Sequence, residues 1–445
     1  MTDPASLPDV TLGSAYRAYT YAYPHKTAYR RLDPPVPLRD AWADEDRRQL
    51  FLYVHIPFCE MRCGFCNLFT TTHPGGTLER QYLAALERQA RVTRDALGDA
   101  GFSRIALGGG TPTYLAAGDL AGVFDLLSGT FGADPGALPT SVETSPATAT
   151  PDRLAVLAER GVQRVSIGVQ SFVEAEVRSV GRAQRTAEVE DALGAIRAAG
   201  PFDLNIDLIY GLAHQTPDSW LQSLRAALRW SPEELFLYPL YVRPLTGIAR
   251  LGRSWDDERL ELYRVGREYL LGEGYEQTSM RRFVRPAPGR RPLIEEPDYV
   301  CQRDGMVGLG CGARSYTRDL HYSSEYAVGQ SGVREILHDF VARSDDTFAL
   351  ATHGLRLNPG EQRRRFLLQS LLHASGLDRA LYRARFGTDA LTDHPQLTRL
   401  VDAGLAQLTP HALRLTPAGL ERSDAIGPWL YSPEVRTLSE QHVWT

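Results

Sequence analysis

The 445-residue sequence predicts an α/β protein: a partial, six-unit TIM-like (β/α)6 barrel followed by a small C-terminal helical, winged-helix-like domain. Between residues 50 and 275, short apolar runs alternate with longer amphipathic ones, with Gly-rich turns between them. That rhythm implies repeated βαβ units and a parallel sheet. About six strand–helix units can be counted, fewer than a closed eight-unit barrel needs, so an open barrel is expected. From residue 354 the pattern turns helical and closes in two short strands around a turn containing Pro410.

In chain order, residues 1–48 form a Tyr- and Pro-rich arm (Tyr16, Tyr19, Tyr21, Tyr23, Tyr29) ending in LDPPVPL. Its prolines cannot continue a helix, so the segment is expected to run extended. Residues 49–280 are the core barrel, with strands at LFLYVHI, RIALGGG, SVETSP, RVSIGVQ, LNIDLIYG and ELFLYPL. Helices are expected at LERQYLAALERQARVTRDAL, LAVLAERG, VEDALGAIRAAG, WLQSLRAALRW and LELYRVGREYLLGEG. Residues 281–353 read as a connecting region that holds a glycine cluster, Gly308, Gly310 and Gly312, and a helix near 331–343. Residues 354–445 carry PGEQRRRFLLQSLLHA, LDRALYRARFG and LTRLVDAG, then the hairpin LAQLTPHALRLTPAG. Helices followed by a hairpin suggest a winged-helix-like packing unit.

A formal net charge of -5 and a pI near 6.2 give no basic excess of the kind that phosphate backbones attract, so no nucleic-acid partner is expected. No apolar stretch approaches the roughly 18 residues of a membrane span, and the N-terminus lacks a basic start followed by an apolar run. A cytoplasmic location is therefore expected. Lys26 is the only lysine. It reads as compositional bias and no function is drawn from it.

Five cysteines are an odd number, and three fall within eight positions, Cys59-Glu-Met-Arg-Cys63-Gly-Phe-Cys66, directly after the strand LFLYVHI. That spacing fits a ligand loop better than a disulfide framework. Thiolates are the soft ligands of iron–sulfur clusters, and three on one tight loop can hold three corners of a [4Fe–4S] cubane. The fourth iron would then be open to a chelating small molecule. The competing reading is a structural zinc site, which wants a fourth protein ligand from Cys301, Cys311, His55 or His73.

The stretch YVHIPFCEMRCGFC resembles the cluster loop of radical S-adenosylmethionine (SAM) enzymes, in the branch of the oxygen-independent coproporphyrinogen III oxidases and heme chaperones. GGGTPTYL at 108–115, Glu143 in ETSP, RVSIGVQSF at 164–172, NIDLIYGL at 205–212 and GLGCGARS at 308–315 follow in the same order and spacing. The resemblance covers roughly residues 48–430. It implies a radical SAM barrel, a [4Fe–4S] cluster on Cys59, Cys63 and Cys66, one or two molecules of SAM, and an electron donor such as flavodoxin or ferredoxin. It also implies a small-molecule substrate, with a tetrapyrrole as candidate.

Each candidate residue has a physical reading beside the family one. Gly109, Gly110 and Thr111 lie in a turn whose missing side chains let backbone approach a ligand closely. Glu143 and Gln170 close strands, and Arg182 offers a guanidinium fork to the methionine carboxylate. The resemblance implies SAM contacts at all three. Asp207 sits inside an apolar run, where a carboxylate needs a partner. That partner is either a ligand hydroxyl or amine, or a neighbouring arginine. Tyr53 and His55 alternate along their strand and face the interior. The resemblance implies that Tyr53 lies near the SAM sulfonium, and Phe65 is expected to shield the cluster. Cys301 and Cys311 are candidates for a thiol relaying hydrogen or a methyl group, and Tyr299 and Arg303 lie beside the first.

Three departures bear on the reaction. The oxidases carry a cysteine two positions after the third ligand, where this chain has Leu68. Heme chaperones carry a His-Asn…Tyr-Trp stretch where it reads EPDYVCQRDGMVGLG, and a glutamate where it has Arg243. A different, acidic substrate is suggested. The alternatives are a heme chaperone-like heme binder and a methyltransferase using two SAM molecules.

Overall fold

The computed structural model describes residues 10–11, 13–251, 258–286 and 300–443. Six parallel strands form the barrel wall: β2 (Leu50–Ile56), β3 (Phe102–Gly109), β4 (Thr140–Thr144), β5 (Arg164–Gln170), β6 (Asp203–Tyr210) and β7 (Glu234–Pro239). An arm strand, β1 (Arg30–Pro37), precedes them in the chain. The connecting helices include α1 (Gly76–Leu97), α2 (Ala117–Phe131), α3 (Pro151–Glu159), α4 (Thr186–Ala199), α5 (Pro217–Leu228) and α6 (Arg259–Gly272). Of these, α2 is absent from the sequence reading; its apolar residues Leu120, Val123, Phe124 and Leu127 follow helical spacing and are all buried. The wall strands bury both faces, as the pattern of β2 shows, because helices cover one side and the lumen lies on the other. α5 starts where Thr216 caps Ser219 ahead of Pro217, a first-turn proline that loses no helical hydrogen bond.

Residues 281–353, expected to connect two domains, instead build most of the remaining sheet. The hairpin β8 (Glu276–Gln277) and β9 (Arg282–Val284) pairs antiparallel with β7. β10 (Met306–Leu309) lies parallel to β2 on the opposite flank, with Met306 opposite Phe51 and Leu309 opposite Val54. It is a seventh parallel strand, drawn from outside the βα repeat. β11 (Arg314–Tyr316), β12 (Leu320–Ser323) and β13 (Leu350–Arg356) continue antiparallel, and β1 closes the edge against β13. Among the described residues the result is one open 13-stranded sheet.

The C-terminal unit packs its own core from Phe366, Leu367, Leu371, Tyr382, Leu400 and Trp429 around a three-stranded sheet. Val10, Tyr23 and Ala28 of the arm belong to that core. The arm then crosses to the barrel. The Ala18 amide donates to the Asp424 carbonyl at 3.1 Å, Thr20 meets the Tyr431 hydroxyl at 2.9 Å, and the Tyr19 ring lies beside Tyr238 of β7, centroids 6.3 Å apart. Among the described residues no helix is long and apolar enough to cross a membrane.

Candidate cofactor site

The cysteine loop leaves the C-terminal end of β2 and is fastened on two sides. The Gly64 amide donates to the Val180 carbonyl at 2.7 Å, and the Ile248 amide donates to the Gly64 carbonyl at 2.9 Å. A Cβ at Gly64 would stand 2.6 Å from the Val180 oxygen, so only glycine allows the approach. Phe65 packs against Val180, Ile209, Leu212, Leu240 and Ile248. On the opposite side the Gly110 amide donates to the Ile56 carbonyl at 2.7 Å and the Thr111 amide to that of Phe58 at 2.8 Å. The Thr111 hydroxyl lies 3.5 Å from Cys59 Sγ, and a Cβ on Gly110 would come within 3.0 Å of the same sulfur. Burial pushes the Cys59 and Cys63 thiols up; Thr111 opposes this at Cys59 and Arg182 at Cys63.

The candidate fourth ligands for zinc are engaged elsewhere or remote. His55 is buried between two glycine turns: a Cβ would meet its ring at 2.7 Å from Gly109 and at 2.9 Å from Gly312, and both glycines have positive φ (119° and 96°). Its Nε2 lies 2.9 Å from the Phe69 carbonyl, which can only accept, so Nε2 carries the proton. Nδ1 then accepts from the Tyr53 hydroxyl at 3.2 Å. Burial lowers the pKa of His55 to about 4, which keeps the ring neutral and this arrangement fixed near neutral pH. His55 thus orients Tyr53. His73 is exposed. Cys311 is buried against Ser324 and the Ile336 carbonyl, with its thiol pushed up to about 12 by burial. Cys301 precedes β10, whose first residue pairs with Phe51 near the start of β2, so it lies at the opposite end of the sheet from the cysteine loop. Tyr299 lies outside the described residues. Among the described residues no group of three His, Cys, Asp or Glu side chains is placed to hold a single metal ion. Three loop thiols without a fourth ligand fit a cubane with an open corner better than tetrahedral zinc.

The lumen beside the loop carries acceptors. Glu143 takes the Gly109 N–H at 3.1 Å, and its carboxyl packs 3.1 Å from where a Gly108 Cβ would be. Asp207, two strands over, accepts from Asn205 Nδ2 at 2.7 Å, and the same amide donates to Ser166 at 2.7 Å. Arg164, the nearest cation, spends its bonds on Glu234 and Ser141. Asn205 Oδ1 is buried without a partner. Desolvation, then mutual repulsion, raises Glu143 to about 7; desolvation raises Asp207 to about 6. Two carboxylates and an orphaned amide oxygen around one lumen leave acceptors for a ligand rich in hydroxyl and amino groups. Gln170 ends β5 with φ 72° and folds its amide to 2.8 Å from the Gly168 Cβ position, a strained turn at the rim of the same lumen. Arg182, buried, donates to Cys63 Sγ, to the Gly168 carbonyl and to Gln184.

Tyr53, His55, Phe65, Gly109, Gly110, Thr111, Glu143, Gln170, Arg182 and Asp207 therefore gather with the three loop cysteines at the C-terminal end of the parallel strands. Asn205, Ser166 and Gly64 join them without having been singled out. The i, i+2 spacing of Asn205 and Asp207 was the signal for one of them.

The raised carboxylates make stability depend on pH. A folded pKa above the unfolded one means the folded state holds the proton more tightly, so stability falls as pH rises from about 4.5 to about 7. Glu143 has accessible surface, but it opens into the lumen, and water there reduces the effect to on the order of 1 kcal/mol. Glu143→Gln, which keeps an acceptor for Gly109, is expected to gain about that much relative to the parent between pH 5 and pH 8 in urea denaturation without ligand. A constant difference across that range would mean that Glu143 is ionised as freely in the folded chain as in the unfolded one.

Residues 53–227 match the model of the radical SAM superfamily, and residues 357–421 match the HemN C-terminal domain. The chain is 33% identical over 388 residues to the oxygen-independent coproporphyrinogen III oxidase of Paracoccus denitrificans, covering 83% of each. It is 28% identical to that of Pseudomonas aeruginosa over 92% of this chain and 90% of the relative. The heme chaperone HemW of Haemophilus influenzae is 29% identical over 59% of this chain and 69% of its own. The solved coproporphyrinogen III oxidase (HemN) from Escherichia coli superposes with a TM-score of 0.75 at 24% identity, over 96% of this chain and 97% of that one, and shares the fold.

Proposed function

The chain belongs to the radical SAM superfamily, among the relatives of the oxygen-independent coproporphyrinogen III oxidases and heme chaperones, and from that premise we propose that it is an enzyme acting on an anionic, tetrapyrrole-type substrate. Cys59, Cys63 and Cys66 hold one [4Fe–4S] cluster, and SAM binds beside it. The observation that carries this reading is the three-thiol loop without a fourth ligand, set against a lumen of unfilled acceptors. When bound, the cluster would supply the one-electron reduction of SAM that gives methionine and a 5′-deoxyadenosyl radical able to take hydrogen from a substrate.

The chain's own residues bind and orient. Arg182 pairs with the methionine carboxylate. Glu143 and the 108–111 turn face the amino end, and Asp207 accepts from a hydroxyl or amine of the same ligand. Tyr53, held by neutral His55, stands toward the sulfonium, while Phe65 and its apolar neighbours exclude water from the loop. A flavodoxin or ferredoxin supplies the electron, in the cytoplasm. One SAM at the loop suffices for this chemistry, and a second is not required by it.

The mouth of the barrel supports an anionic substrate. Lys26 sits 3.3 Å over the Tyr326 ring, whose hydroxyl donates to the Asn67 carbonyl in the cysteine loop. Its amine is driven well below the usual range by burial and then by the charge of Arg314, with Arg243 adding to the same repulsion. The cations around it, Arg314 and Arg243, favour an incoming carboxylate, which would also offset their repulsion of the Lys26 proton. Leu68, 48% exposed where the oxidases carry a further cysteine, and Arg243, stacked 4.5 Å from the Tyr241 ring, favour a substrate other than coproporphyrinogen III itself.

Asp207→Asn tests the SAM site, because it keeps shape and removes charge. Loss of one charge-assisted hydrogen bond costs about 1.5–3 kcal/mol, so SAM affinity is expected to fall about ten- to hundredfold. Iron content and the melting temperature without SAM should hold. A variant that loses stability but binds SAM normally would make Asp207 a structural residue. For the substrate, reduced porphyrins bearing carboxylates should raise 5′-deoxyadenosine formation above the substrate-free rate, and no response from any of them would refute the tetrapyrrole assignment.

A further inference from the structure

Arg182 touches the cysteine loop itself. Its Nη1 donates to Cys63 Sγ at 3.1 Å, its Nη2 to the Gly168 carbonyl at 2.6 Å and its Nε to Gln184 Oε1 at 2.7 Å. Gln184 is fixed in turn by donating to the Val169 carbonyl at 2.8 Å. Arg182 is only 7% exposed, and these three bonds hold its guanidinium in place. Two residues earlier, Val180 accepts the Gly64 amide, so the segment Val180–Arg182 grips the loop at two successive residues, one through backbone and one through sulfur. Three of the five guanidinium N–H groups are thereby used, and two remain for a ligand carboxylate.

We propose that Arg182 is a redox-tuning residue, which couples the occupancy of the SAM carboxylate site to the reduction potential of the cluster through its N–H donated to Cys63 sulfur. This rests on the radical SAM reading above. Reduction adds one electron, which increases the negative charge on the cluster and its sulfur ligands. A buried cation and an N–H···S bond stabilise that reduced form and raise the potential. A carboxylate paired with the same guanidinium cancels part of its field at Cys63 and lowers the potential again. SAM therefore reports its arrival to the cluster through a single side chain, with no movement of the loop.

The test is a potentiometric titration of the reconstituted protein, followed by electron paramagnetic resonance, with and without SAM at saturating concentration for each variant. In Arg182→Gln the ratio of reduced to oxidised cluster at a fixed potential without SAM is expected to fall about tenfold, which for a one-electron couple is 59 mV. The shift on adding SAM, downward in the parent, should shrink or vanish. Arg182→Lys keeps the charge and one donor, so it should recover part of both effects. A Gln variant with the parent's potential in both states overturns the proposal, as does one with the parent's potential alone but weakened SAM binding, which would leave Arg182 as a carboxylate ligand only. If neither variant assembles a cluster while the parent does, Arg182 is a support of the loop and the tuning role falls. Failure of the parent itself to take up iron would instead remove the reading on which the proposal stands.

Discussion

Replacing Cys59, Cys63 or Cys66 with alanine is expected to abolish cluster assembly: iron and acid-labile sulfide should fall from about four of each per chain to near zero, and SAM cleavage should vanish with them. The three positions are not interchangeable with the remaining cysteines. Cys311 is enclosed by Ser324 and the Ile336 carbonyl, and Cys301 lies at the far end of the sheet. Alanine at either should leave iron content at the parent level. Iron and sulfide assays on the five single variants, prepared anaerobically, separate the two groups. Loss of iron from the Cys301 or Cys311 variant would make that residue a ligand and break the three-cysteine account.

Asp424→Asn is expected to cost the folded protein about 3–5 kcal/mol, the usual penalty for stranding a buried charge by removing its partner. Arg281, on the turn between β8 and β9, and Asp424, in the helix Ser423–Trp429, form an ion pair with side chains 5% and 2% exposed. Asp424 also accepts from the Tyr241 hydroxyl, and the Arg281 guanidinium lies 3.7 Å from the Tyr19 ring. One carboxylate thus joins barrel, C-terminal unit and arm. A loss of this size is a large part of the 5–15 kcal/mol that holds a typical domain folded. Urea denaturation measures it, and Arg281→Met combined with Asp424→Leu should recover much of the deficit, because no unpaired charge remains. A change below about 1 kcal/mol in the single variant would show that water reaches the pair.

The wall of the barrel was legible because most of its strands are followed by a helix within a few residues, so period and order were both local. The site was legible where chemistry is concentrated, in the cysteine loop, the glycine turn and the lone carboxylate of LNIDLIYG. What lay outside was non-local. β10 finds its partner in β2, far back along the chain, and β11 and β12, only three and four residues long, follow it onto the sheet, so the stretch around them read as a connector. Cys301 and Cys311 are ten residues apart and were both candidate thiols for one role, yet β10 runs between them and carries them toward opposite ends of the parallel strands. Gly312 stood out only as one of a glycine cluster, whereas it lets the chain close over His55. Lys26 was dismissed as composition, since nothing in its own segment shows that the arm brings it over Tyr326 beside the cysteine loop.

The central claim is that this chain cleaves SAM by one-electron chemistry at a cluster held by three cysteines. The direct measurement is anaerobic reconstitution with iron and sulfide, reduction, addition of SAM, and chromatography of the nucleoside products. The account predicts 5′-deoxyadenosine formed one for one with methionine, dependent on reductant and lost in the Cys63→Ala variant. Intact SAM in the presence of a fully assembled, reduced cluster would contradict it, and S-adenosylhomocysteine as the sole nucleoside product would replace hydrogen abstraction with methyl transfer.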